Sequence, residues 1–144
     1  MVKSGYPFEQ AFEKTEVGVI AIKIIPESRL LISSGEGNYF DRRNNLFSRL
    51  FRYINANDVA MTTPVEAEIG KASMKFYVGG KDKEKDLPDN DMVKVISVPE
   101  RKVVSIGVRG AYNKSNFDEA KAKVEQWLQQ NQDYTIAGEA YAVF

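Results

Sequence analysis

The sequence predicts an α+β domain made of two ββαββ units. Their strands form one curved antiparallel sheet or open barrel, flanked by two helices, with the last strand missing. Three observations lead there: two ungapped segments resemble each other, apolar residues alternate along several short runs, and two stretches space apolar residues three and four apart. The matching segments are IIPESRLLISSGEGNY, from Ile24 to Tyr39, and SVPERKVVSIGVRGAY, from Ser97 to Tyr112. Pro26 matches Pro99, Glu27 matches Glu100, Gly37 matches Gly110 and Tyr39 matches Tyr112, each pair 73 positions apart. The same offset carries Phe47, Phe51 and Ile54 onto Ala120, Val124 and Trp127, and Thr62, Glu66 and Ala67 onto Thr135, Glu139 and Ala140. The 144 residues then form a single domain with pseudo-repeats at about 17–80 and 90–144.

Each element follows from its local pattern. Val17–Ile25 and Arg29–Ser34 read as strands separated by a Pro-Glu turn. Asn44–Ile54 reads as a helix with Phe47, Leu50, Phe51 and Ile54 on one stripe and Arg42, Arg43, Arg49 and Arg52 mainly elsewhere. Val59–Ile69 and Ser73–Val78 are strands, although Pro64 stands in the first of them. A proline gives no N–H to a ladder, so Pro64 predicts a bulge or an edge. The run Lys81–Asp91 alternates charges around Pro88 and reads as a solvated connector. Val93–Val98 and Val103–Val108 repeat the first strand pair, Asn116–Gln130 the helix, and Tyr134–Phe144 the strand that held Pro64. The equivalent of Met74–Val78 would fall beyond Phe144, which leaves a sheet edge for another chain or the N-terminal segment. Glu9–Glu16 is expected to form a short helix packing Phe8 and Phe12 on the open end of the sheet.

Composition removes most chemistry. There is no cysteine and no histidine, so thiolate nucleophiles, catalytic triads, zincin helices and imidazole-ligated haem are all excluded. Twenty basic residues balance twenty acidic ones, so no global field recruits nucleic acid. The N-terminus lacks an apolar signal-peptide run and no stretch approaches the roughly 20 apolar residues of a membrane span, so a cytoplasmic location is expected.

The stretch LFRYINANDVAMTTPVEAEI, followed by MKFYV and then VPERKVVSIGVRG, resembles the SOUL haem-binding protein family over roughly Val17 to Phe144. Met61-Thr62-Thr63-Pro64-Val65 combined with Met74-x-Phe76 carries most of that specificity. The sequence departs from the family pattern in lacking a Tyr-Asn-Pro-Pro-like loop and closing strand after Phe144. The resemblance implies a sheet flanked by two helices and noncovalent tetrapyrrole binding in a cleft beside a helix. It also implies kinship with gyrase-inhibitor-like effector-binding domains, which take small aromatic or cationic molecules.

A haem or related porphyrin needs an apolar slot with a basic rim. The first helix offers Leu46, Leu50 and Tyr53 at helical spacing, with Arg42, Arg43 and Arg49 to meet carboxylates, and Met61 follows; a solvated basic helix face explains the same pattern. Iron has only Met61, Met74, Met92, a tyrosinate or a lysine to meet it, and methionines at strand spacing read first as core filling. Weak binding without a strong protein ligand is expected, with iron-free porphyrin held about as well as haem.

An alternative site uses Glu66, Glu139, Trp127 and Tyr112 as an effector pocket for a small cationic or aromatic molecule, with Tyr77, Tyr134 and Tyr141 as further walls. Strand alternation instead puts Val65, Ala67 and Ile69 on one face and Glu66 and Glu68 on a solvated one. An enzyme would rest on those two glutamates alone, so no catalytic residue and no metal site is assigned. The remaining expectation is a homodimer through the C-terminal edge strand.

Overall fold

The computed structural model describes residues 9–37, 39–69, 72–111 and 113–143. In chain order the elements are β1 (Glu9–Gln10), β2 (Ile20–Ile25), β3 (Ser28–Ser34), α1 (Tyr39–Ala56), β4 (Thr62–Thr63), β5 (Val65–Glu68), β6 (Ser73–Tyr77), β7 (Lys94–Val98), β8 (Arg101–Ile106), α2 (Lys114–Gln130) and β9 (Ala142–Val143). Strands β7-β3-β6-β5-β9 form one antiparallel sheet and β2-β8 a second, so seven antiparallel strands and two helices make the expected α+β fold, with no closed barrel among the described residues.

The Pro-Glu segments do not fold the chain back on itself. β2 pairs with β8, and β3 with β6 and β7. Ile20 faces Ile106 and Ile25 faces Arg101 in one ladder, while Ser28 faces Val98 and Ile32 faces Lys94 in the other. One register therefore crosses the break, where each Pro-Glu stands opposite the other. Two prolines without N–H groups interrupt the ladder at that point, and the ribbon bends without slipping.

β3 is buried on both faces. Leu31 belongs to the main core with Leu46, Leu50, Tyr53 and Ile54 of α1 and with Val65, Ala67, Met74 and Phe76. Leu30 joins Ile25 and Tyr77 on the opposite face, where Ala11, Phe12, Val98 and Val103 pack. The buried stripe of α1 is thus rotated from the one expected: Tyr53 points in, whereas Phe47 and Phe51 are exposed and stack on each other at 6.0 Å. α1 also starts earlier than expected. It ends where Asp58 adopts a left-handed φ of 51° and the Val59 N–H returns to the Ile54 carbonyl at 2.8 Å.

Pro64 separates β4 from β5. Ahead of it, β4 pairs in parallel with β1, so the N-terminal segment contributes a short strand where a helix was expected; behind it, β5 enters the five-stranded sheet. Phe12 still packs edge-on against Tyr77, at 5.5 Å, and Phe8 lies outside the described residues. By continuation of the β5–β6 register Pro64 stands opposite Tyr77, whose carbonyl accepts from the Thr62 hydroxyl. A side-chain donor two residues upstream serves the carbonyl facing a residue that has none.

The second half is packed more lightly. α2 is capped by the Asn113 side chain, which accepts from Asn116 N at 2.8 Å, yet none of its residues is fully buried. Of the expected strand from Tyr134, only Ala142–Val143 joins the sheet, against β5.

Candidate functional site

The interior between α1 and the sheet is filled by Leu46, Leu50, Tyr53 and Ile54 against Met74 and Phe76. Leu50 is 0% exposed and Met61 is half-buried against the same cluster. Space lies instead along the flank of α1. A groove of about 300 Å³ is lined by Gly35, Glu36, Arg42, Asn45, Leu46 and Arg49. A second, of about 210 Å³, is lined by Arg49, Arg52, Tyr53, Ala56, Asn90 and Met92. They meet at Arg49. Helical spacing makes residues 42, 45, 46, 49, 52, 53 and 56 one strip, about 21 Å long at 1.5 Å per residue.

Two of the guanidinium groups on this strip are placed by backbone carbonyls. Arg42 Nε donates to Glu36 O at 3.2 Å, and Arg49 Nη1 donates to Ser34 O at 3.0 Å. Tyr53 spans from the core to the second groove and donates its hydroxyl to Pro88 O at 2.7 Å. Burial, the largest influence, pushes the Tyr53 phenol above its usual range, so the ring stays neutral. Of the residues expected to meet a porphyrin, Arg42, Leu46, Arg49 and Tyr53 line the grooves, Leu46 and Tyr53 doing so from within the core at 1% and 3% exposure; Arg43, half-buried, and the core-packed Leu50 and Met61 line neither. Asn45, Ala56 and Asn90 were not anticipated. The first two follow from helical spacing once the buried stripe is known, but Asn90 comes from a connector whose path the sequence does not reveal.

The described residues of the alternative set have different surroundings. Glu139 is exposed, Trp127 packs beside Tyr134 at 6.0 Å, and Tyr112 lies outside the described residues. Glu66 departs from its expected solvated position and is 2% exposed. The Tyr77 hydroxyl donates to Glu66 Oε1 at 2.7 Å, Arg101 Nη2 donates to the Tyr77 hydroxyl at 2.8 Å, and Arg101 and Lys75 lie 3.4 and 3.5 Å from the two carboxylate oxygens. The Arg101 guanidinium also stands over the Tyr141 ring, 5.7 Å from its centre. Burial pushes the Tyr77 phenol far up, and the Glu66 carboxylate adds to it, so the hydroxyl is a permanent donor. Arg101 reaches from β8 across to β5 and β6, tying the two sheets together. The bend at Pro26 and Pro99 brings β8 over this face, so polar alternation along β5 alone misjudges it.

Among the described residues no cluster of acidic side chains is arranged to hold a metal ion, and no helix is long and apolar enough to cross a membrane. The strip along α1 sets three arginines beside the exposed Ala56 and Met92 and the outer edges of Leu46 and Tyr53, a set of groups that fits a ring carrying carboxylates. The family model for SOUL heme-binding protein matches residues 23–144, and no individual curated protein matches the chain. With a match over nearly its whole length, the chain belongs to the SOUL heme-binding protein family.

Proposed function

We propose that the protein binds haem or a related porphyrin noncovalently along the flank of α1. The ring would rest on Leu46, Tyr53 and Ala56, with its carboxylates on Arg42, Arg49 and Arg52 and no His or Cys on the iron. The observation that carries this reading is the meeting of two grooves at Arg49, with a further arginine in each. Arg42 and Arg49 are already oriented by main-chain carbonyls, so clamping an anion costs less ordering than free side chains would. When bound, the group supplies the redox and ligand chemistry of its iron. The chain's own residues hold its edge and anchor its charges, and no catalytic role is assigned to them. Titration with iron-free protoporphyrin, followed by absorbance, tests this: saturable binding is expected, weakened about tenfold or more in Arg49→Gln/Arg52→Gln. Absent binding, or binding indifferent to those substitutions, would overturn it.

A second reading takes Glu66 as the anchor for a small cationic or aromatic ligand. It is favoured by one observation: this buried carboxylate already holds a flat cation of the chain, Arg101, over a tyrosine ring. A cationic aromatic dye that binds wild type but not Glu66→Gln would support it.

The single domain with related halves, 17–80 and 90–144, is supported by the shared register of the two ladders across the prolines. A homodimer through β9 is supported by that strand's one-sided pairing among the described residues, and sedimentation against concentration tests it. A cytoplasmic location completes the proposal.

A further inference from the structure

The chain has four methionines, and three of them are described. Met74 is 2% exposed in the main core, and Met61 is half-buried against it. Met92 is 51% exposed and lines the second groove beside Arg49, Arg52 and Tyr53. Its backbone is held firmly. The Asn90 side-chain oxygen accepts from Met92 N at 2.8 Å and from Val93 N at 2.7 Å, and Asn90 N donates to Val93 O at 3.0 Å. Val93, at 1% exposure, plants the loop in the core. An apolar side chain is thus presented to solvent from a closed, anchored turn, next to cationic residues it cannot pair with.

We infer that Met92 is a thioether ligand for the iron of a porphyrin bound along α1, giving the site a preference for ferrous haem over the iron-free ring. The inference rests on the α1 reading above and departs from the equal affinities expected from sequence. Three features carry it. The residues lining the two grooves include one soft donor, the Met92 sulfur. The oxygen donor that could compete, Tyr53, is committed to Pro88 O as a neutral phenol. The three rotatable bonds of methionine let the sulfur swing over the groove while the backbone stays fixed. A thioether is a soft ligand and favours the lower oxidation state, so affinity should rise on reduction.

The test compares ferrous haem, ferric haem and iron-free protoporphyrin on wild type, Met92→Leu and Met61→Leu, reading affinity and the absorption spectrum. Leucine keeps the bulk and apolarity of residue 92 while removing sulfur. Expected are at least about fivefold tighter binding of ferrous haem than of the iron-free ring by wild type and Met61→Leu, and a ratio near one for Met92→Leu. A ferrous spectrum unaltered by Met92→Leu, or an undiminished ratio in that variant, would overturn the inference. Failure of the iron-free ring to bind, while ferrous haem binds through residue 92, would overturn the arginine clamp and leave the ligation standing. If no porphyrin binds, both fall.

Discussion

The Tyr77 hydroxyl donates to Glu66 at 2.7 Å, and through that bond a carboxylate on β5 is kept charged-partnered while almost wholly out of solvent. Tyr77 is at once donor to Glu66 and acceptor from Arg101, so it couples the carboxylate to the second sheet. Tyr77→Phe should cost about 1–3 kcal/mol of stability by leaving two polar partners short. Glu66→Gln should cost about 2 kcal/mol, below the fully buried case because Arg101 and Lys75 are partly solvated. Glu139→Gln, at an exposed position, should stay within about 0.5 kcal/mol. Urea unfolding of the three variants checks the order.

Asp82 predicts a specific acid sensitivity. It is buried, accepts from Ala60 N at 2.9 Å and pairs with Lys85 at 3.0 Å. The Ala60 N–H, more than Lys85, pulls its carboxyl below the ordinary 3.8 despite burial. A depressed carboxyl stabilises the fold above its unfolded pKa and loses that contribution as pH falls through the folded one. The stability gap between wild type and Asp82→Ala should therefore be constant from neutral pH to about 4 and shrink below it, as read by melting temperature across pH.

Gly107 is fixed by a close approach between chain segments. A Cβ there would run into the Glu16 carbonyl oxygen, while Gly107 O accepts from Gly18 N at 2.9 Å. Gly107→Ala should cost about 1–3 kcal/mol and increase hydrogen exchange at Gly18 and Gly107 together.

Core and candidate site on α1 should separate by experiment. Leu50→Ala should destabilise by about 2–5 kcal/mol. Arg52→Gln should leave stability within about 0.5 kcal/mol yet weaken porphyrin binding. The affinity lost in Arg52→Gln should narrow as salt is raised, because the contact is solvent-accessible.

The element types were legible because the chemistry is local: alternation marks the strands, three-and-four spacing the helices, and Pro64 the interruption in its strand. Strand partners were not legible. Pro26-Glu27 reads as a turn, and only the long-range ladder to Pro99-Glu100 makes it a bend. Glu66 illustrates the consequence. Its neighbours on β5 predict a wet face, but Arg101, 35 positions away, reaches over to cover it. Arg42, Leu46, Arg49 and Tyr53 could be grouped from helical spacing alone. Leu50 could not be separated from them, since only packing decides which side of a helix is shut.

The uninterrupted register through Pro26 and Pro99 limits how this chain can change in length. Adding or deleting one residue at either proline would invert the facing of all side chains on one arm, sending Leu30 and Leu31 into each other's interiors. Descendants of this sequence therefore have to inherit the spacing from Ile20 to Ile32 intact.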